Sequence, residues 1–306
     1  MLKRNRNNLG FTLLELMIAM VIASIVAAAI MMSFDSQQKT QVNQQLVVEM
    51  QQDARADIYL MQQDIRMAGY DETWEDTNTD GVDDNRATDL IDNDCDTVID
   101  NPGEDNDIAG IVKAFPHLIQ IRLDENRDGN FCGVNDVITY ALASDTGDGT
   151  IDGDGVADSG AMDLRRDNQV IGNNLQPLAR SIQAIAFAYA FDNDPGPPDG
   201  LVDTDAGGNI IWAFDSNADG ILDKQLDSNT DGVIDENDTP INLTTPVPIS
   251  RIRAVRIWIL ARTRSPLRDH HYTKTYVVGD KVITTADDYE RVLLTTTVNC
   301  RNLGLR

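Results

Sequence analysis

Twelve residues, Asp227 to Asp238, hold the densest chemistry in the sequence: DSNTDGVIDEND. Side-chain oxygens fall at positions 1, 3, 5, 9 and 12, on Asp227, Asn229, Asp231, Asp235 and Asp238, with Gly232 at position 6 and the Val233 carbonyl at position 7. Alternate residues can turn their oxygens inward while the glycine permits a sharp bend. That is the spacing of an EF-hand-type calcium loop, with Asp in place of the usual final Glu. Immediately upstream, Asp215, Asn217, Asp219 and Asp223 repeat the pattern at a 12-residue offset, but position 12 is Leu226, so this loop needs a borrowed ligand or water. Weaker copies occur at Asp76, Asn78, Asp80 and Asp84, at Asp92, Asp94, Asp96 and Asp100, and at Asp124, Asn126 and Asp128. The stretch from Asp148 to Asp158 fits the pattern least. Oxygen-only ligands suit calcium rather than zinc or copper. The competing expectation is that Asp, Asn and Gly simply build turns. Calcium is therefore the expected cofactor, bound in several loops whose number stays open.

A second carboxylate stands where carboxylates are costly. Phe11 to Phe34 is an apolar stretch broken by one charge, Glu15, and it follows a short basic segment, MLKRNRNNLG. The stretch is long enough to cross a bilayer as a helix, which takes about 20 apolar residues. Its basic flank would remain on the cytoplasmic side. A secretory signal peptide would have a shorter apolar core with small residues at a cleavage site after it. A plain signal anchor fits the length but leaves Glu15 unexplained, because an intramembrane carboxylate marks a functional site by default.

Gly10-Phe11-Thr12-Leu13-Leu14-Glu15 resembles the prepilin peptidase site of type IV pilins and type II secretion pseudopilins. The resemblance implies cleavage after Gly10, a mature N-terminus at Phe11 with a methylated amine, and Glu15 as the assembly carboxylate. In a filament, Glu15 of one subunit would then pair with the amine of a neighbour, so that neither charge stands alone in an apolar setting. Gln51-Gln52-Asp53-Ala54-Arg55, the run Asp64 to Tyr70, the segment Ile252 to Arg262 and the ending Thr296 to Asn302 resemble the PilW family of minor pilins, relatives of the J-type secretion pseudopilins. That family implies a structural subunit near the pilus tip that helps start assembly, with no catalytic site. The partners it implies are other pilins, met through the N-terminal helix, and the prepilin peptidase. It also implies a single-pass precursor in the inner membrane that later joins a fibre at the cell surface. Without flanking helices, the acidic loops resemble those of dockerin or thrombospondin-type modules more than full EF-hands.

Charge agrees with cation binding. There are 25 Lys and Arg against 50 Asp and Glu, a net of -25. Loss of the leader, with Lys3, Arg4 and Arg6, would leave 22 basic residues against the same 50 and a net of -28. Such a field repels nucleic acid and attracts cations. The three cysteines form no CxxC pair; Cys95 and Cys132, in loop-like sequence, are the candidate pair for a bridge, and Cys300 continues an alternating run as a core residue. His270-His271 sits in a polar surface loop, and no GxSxG, HExxH or Walker constellation occurs, so no enzyme is expected.

These sites need elements to hold them. From Ser36 to Ala68 there is no Gly or Pro, and Val42, Leu46, Met50, Ala54, Ile58, Met61, Ile65 and Ala68 recur three or four apart. A spine helix over residues 11–69 follows, with Gly69 as its C-terminal cap. Phe11 to Ala68 would extend about 87 Å; residues 11–34 lie in membrane or filament core and 35–69 are amphipathic. Strands are expected at Leu118 to Leu123, Val137 to Ala143, Ile182 to Phe191, Ile252 to Ala261, Lys274 to Val278 and Arg291 to Val298. The fold class is α+β: a long helix packed on an antiparallel head over residues 70–306, with acidic insertions mainly in 71–110, 124–160 and 192–240. A J-type secretion pseudopilin and a membrane-anchored calcium-dependent adhesin remain the alternatives to a minor pilin.

Overall fold

The computed structural model describes residues 12–70, 110–124, 136–143, 153–158, 160–167, 176–194 and 199–303. Two compact units result, residues 1–47 and 48–306, and the boundary falls inside one helix. That helix, α1 (Leu13–Met67), runs without interruption, as expected from a stretch free of Gly and Pro. From Leu13 to Phe34 the helix is apolar on nearly every face, with Glu15 its one charge. Leu13, Met20, Ile25, Ile30 and Phe34 are all more than half exposed in the single chain. Such a helix suits lipid or the core of an assembly.

In the second unit α1 buries a stripe: Met50, Ala54, Asp57, Met61 and Ile65. Four of these match the expected apolar face. The fifth does not, because Asp57 turns inward where the hydropathy pattern favoured Ile58, which is half-buried. The helix ends at Gly69, whose φ of +75° costs a glycine nothing. A β-carbon there would stand 2.8 Å from Cδ2 of Leu303, and one on Gly110 would collide with the same leucine, so the two glycines form a socket for it.

The head is an antiparallel sheet built around one long strand. β1 (Gly110–Ala114), β2 (Leu118–Arg122), β3 (Val137–Leu142) and β4 (Met162–Asp167) pair in sequence order and lead to β5 (Gln176–Phe191). One edge of β5 is shared: β4 takes Gln176 to Ile182, and β6 (Ala213–Phe214) takes Tyr189. Beyond β6 come β7 (Ile221–Gln225) and β8 (Ile241–Pro248). The other edge of β5 pairs with β9 (Ile252–Arg262), which pairs with β12 (Arg291–Asn299). A separate hairpin joins β10 (Tyr272–Val278) and β11 (Lys281–Asp287) through Gly279-Asp280.

On β5, large residues (Ile185, Phe187, Tyr189) alternate with alanines (Ala184, Ala186, Ala188), and all six are 0% exposed. The alanine side leaves room for the hairpin tip, since a β-carbon on Gly279 would meet Ala186 Cβ at 2.5 Å. The six strands expected from sequence are all present. β1, β4, β6, β7, β8 and β11 were not expected. β4 and β11 are mostly polar, and β8 holds Pro246 and Pro248, which an edge strand tolerates. β6 and β7 lie inside the interval assigned to an acidic insertion.

Helix and sheet are tied by polar contacts as well as by the stripe. Asp64 accepts hydrogen bonds from Tyr140 on β3 (2.5 Å) and Arg166 on β4 (2.8 Å). Gln62 donates to Thr296 on β12 (2.5 Å), and Arg264 reaches Glu49 and Asp53 (3.0 and 3.1 Å). Asp57, 4% exposed with Oδ2 unpartnered, is the costly member. Burial first, then the charge of Asp53, pushes its carboxyl up to about 7. Between the ordinary carboxylate range and pH 7, the folded chain therefore keeps a proton that the unfolded chain has released. Stability from this group is full below pH 4 and is lost as pH rises to 7. Asp57→Asn should remove that loss, raising stability at pH 8 by about 2–4 kcal/mol while changing little at pH 4. Melting curves of wild type and variant at the two pH values check it, because contributions of the other acids cancel in the difference.

Candidate functional site

The first site is the start of α1. Thr12 precedes the helix, and Oε2 of Glu15 accepts its backbone N–H (3.0 Å) and its hydroxyl (3.1 Å). The Glu15 N–H donates in return to Thr12 Oγ1 (3.3 Å). This reciprocal pairing is a capping box, legible in the sequence as Thr-x-x-Glu. The carboxylate is thus held at the positive end of the helix. Gly10 and Phe11 lie outside the described residues.

The second site is an acidic lobe, residues 192–251. Phe191 and Ile252 face each other across the β5–β9 ladder, so the chain leaves β5 and returns beside it at one point, contributing β6, β7 and β8 to the sheet in between. In the loop Asp227–Asp238, Oδ2 of Asp227 accepts the Gly232 N–H (2.7 Å), Asn229 accepts from Asp231 (2.9 Å) and Asp231 accepts from Val233 (2.8 Å). In the loop Asp215–Asp223, Asp215 accepts from Gly220 (3.0 Å), Asn217 from Asp219 (3.2 Å) and Asp219 from Ile221 (3.0 Å). Gly232 and Gly220 carry φ of +84° and +78°. One backbone path, set by one spacing, is thus repeated. The first carboxylate of each is buried, with Asp215 2% and Asp227 8% exposed, while Asp219 and Asp231 are open to solvent.

The two loops close differently. Asp238 closes the second by accepting the N–H and hydroxyl of Ser228 (both 2.9 Å). Burial works to raise the Asp238 carboxyl, but the N–H groups of Asp235 and Ser228 prevail and hold it below the usual range. Asp235 accepts the Asn237 N–H (2.8 Å). In the first loop the same closure belongs to Asp223, which accepts the N–H (2.8 Å) and hydroxyl (2.7 Å) of Ser216. The missing position-12 ligand therefore leaves no gap in the framework. Leu226 is buried and its N–H donates to the Trp212 carbonyl (2.9 Å).

Within these two loops no three carboxylates come within 4.8 Å of one another. Among the described residues the acidic triad that does so is Asp192, Asp194 and Asp199. The spacing did not point to it, because residues 195–198 interrupt the pattern. Its second half did carry the signal: Asp199-Gly200-Leu201-Val202-Asp203 has the form of Asp219 to Asp223 and Asp231 to Asp235. Gly200, with φ of +80°, donates its N–H to Oδ2 of Asp192 (2.8 Å), and the Leu201 N–H donates to Asp199 (2.8 Å).

Other candidates fall elsewhere. Asp76, Asn78, Asp80, Asp84, Asp92, Asp94, Asp96, Asp100, Asn126 and Asp128 lie outside the described residues, as do Cys95 and Cys132. Asp124 is 1% exposed, and its N–H donates to the Tyr70 carbonyl (3.0 Å). Cys300 is a free, buried thiol whose pKa burial pushes up to about 12. His270 and His271 are exposed, as expected of a surface loop.

A family model of the prokaryotic N-terminal methylation motif matches residues 5–31, and one of type IV pilus-assembly protein W matches residues 153–302. No curated protein matches the chain. Among solved structures it is similar to a type IV-like pilin from Thermus thermophilus, at 13% identity and a TM-score of 0.36, over 83% of this chain and 97% of that one. The methylation motif opens a helix long and apolar enough to cross a membrane, and the matched head carries strands β4 to β12. The chain is thus similar to the type IV pilus-assembly W family over its head and to the pilin methylation motif at its N-terminal helix.

Proposed function

We propose that this protein is a minor structural subunit of a type IV pilus, acting near the tip in starting assembly, with calcium held in the head loops Asp215–Asp223 and Asp227–Asp238. The precursor is anchored in the membrane by the first part of α1 and then joins the fibre. The observation that carries the subunit reading is the capped Glu15, placed at the head of a lipid-length helix and within the matched methylation motif. The capping box gives this charge a local role; inside an apolar assembly it also calls for a cation, which a mature N-terminal amine would supply. The calcium reading is supported by the two loops' shared framework, which sets oxygen-bearing side chains around a tight turn. Oxygen donors alone suit a hard cation and give no means of redox or acyl-transfer chemistry, in keeping with a structural subunit.

Processing tests it. The N-terminal peptide recovered from assembled filaments should begin at Phe11 and carry one methyl group, and Gly10→Val should leave the precursor uncut in the membrane. A mature chain starting after residue 30, or one that keeps residues 1–10, would remove the pilin role and favour an exported or anchored adhesin. A J-type pseudopilin would be cut at the same bond. The filament that yields the peptide, surface pilus or secretion pseudopilus, tells the two apart.

A further inference from the structure

We propose a separate divalent-cation site, of the calcium class, at the end of β5, formed by the carboxylates of Asp192, Asp194 and Asp199 with Asp203 beside them. It rests neither on the loops at 215–238 nor on the family. The observation behind it is Asp192. Its side chain is 0% exposed, and Oδ1 has no hydrogen-bond partner. Oδ2 is already occupied by the Gly200 N–H at 2.8 Å, and the nearest cation, Nε of Arg253, stands 3.9 Å from that same oxygen. A buried carboxylate with one bare oxygen is expensive unless a charge of opposite sign meets it.

The surroundings supply the other ligands. Asp192, Asp194 and Asp199 each bring an oxygen within 4.8 Å of the others. Two oxygens bound to one calcium ion at 2.3–2.6 Å stand at most about 5 Å apart, so the spacing is what a shared ion requires. Asp203 is tied to the same place, since its N–H donates to the Phe191 carbonyl (2.7 Å) and its Oδ2 accepts the Asn193 N–H (3.2 Å). Asp194 and Asp199 are exposed, so an ion has a route in. The ligands are all oxygens, from four carboxylates, which favours a hard cation. A bound ion would pin the exit of the acidic lobe to the strand from which it leaves.

The test uses the full-length chain in detergent micelles, stripped with chelator and titrated calorimetrically with calcium chloride. Asp194→Asn combined with Asp199→Asn should lose one equivalent of bound calcium, with magnesium competing only weakly in wild type. Asp227→Ala with Asp231→Ala should leave this equivalent in place and lose a different one. A wild-type count in the first variant overturns the site whatever the second does, while a loss confined to the first leaves the site standing and removes calcium from Asp227–Asp238. Asp192→Asn gives a second readout that a structural carboxylate would not. In chelator it should melt no lower than wild type, because it removes an uncompensated charge. In millimolar calcium it should melt lower. A variant that melts lower to the same extent in both conditions overturns the proposal.

Discussion

Filaments formed with Glu15→Ala chains should hold far less of this subunit than wild type, although the level of precursor in the membrane is unchanged. Insertion survives because the substitution removes a charge from an apolar helix. Assembly suffers because a neighbour's amine would be buried without a partner, and breaking such a pair from one side costs about 3–5 kcal/mol, a factor of about a hundred or more in equilibrium. The capping box adds a control. Thr12→Ala removes the hydroxyl that caps the helix yet leaves the carboxylate, so it should cost only about 1 kcal/mol of local helix stability. Quantifying the subunit in sheared filaments and in membranes for both variants separates pairing from capping. Wild-type incorporation of Glu15→Ala would exclude the pairing role, except in a subunit with no neighbour above it at the very tip.

Calcium should raise the melting temperature of the full chain in detergent, and chelator should lower it again. An ion that binds only the folded form adds RT ln(1 + [L]/Kd), about 0.4 kcal/mol per site when calcium equals Kd and about 1.4 at tenfold excess. Extracellular modules of this kind bind at roughly 10⁻⁴ to 10⁻³ M, so each loop contributes modestly and the sum over loops is what is measured. Asp227→Ala with Asp231→Ala should shrink the calcium-dependent increment. The same pair also loses bonds to Gly232, Thr230 and Val233, so the comparison must be made on the increment, not on the melting temperature itself. Magnesium should substitute poorly, because it demands a tighter octahedral shell. A wild-type chain that melts identically with and without chelator would leave the loops as acidic turns.

What the sequence revealed depended on how local the cause was. The helix was legible from end to end because a turn repeats every few residues, and its inner stripe followed from that period. Asp57 was not legible, because only the tertiary packing shows that an acid takes a place on the stripe. Strands buried on both faces stood out as apolar runs, as in β5 and β9. β4, β8 and β11 lie at edges or carry polar faces, and nothing in their composition demanded a partner. The loops at 215–238 were legible because their main bonds span five residues or fewer, except at closure. There the upstream loop uses Asp223 in the role that spacing had given to position 12. The Asp192 group was missed for the opposite reason: its carboxylates come from two sides of an interruption, and burial at the end of β5, which made Asp192 matter, is a property of the whole sheet.

The tie between spine and head has a consequence for the order of events during export. Asp64 finds its partners on β3 and β4, but Gln62 waits for Thr296, 234 residues later, and the socket of Gly69 and Gly110 waits for Leu303. The helix enters the membrane first, and these last contacts can close only after nearly the whole chain has followed it out. Until then Gln62 lacks its partner on β12 and the socket stays open. An unfinished or truncated chain therefore presents a wet amphipathic helix to proteases and chaperones instead of a docked subunit. Removal of residues 291–303 should lower the level of precursor in the membrane and keep it out of filaments, measured by immunoblot of membranes and sheared filaments.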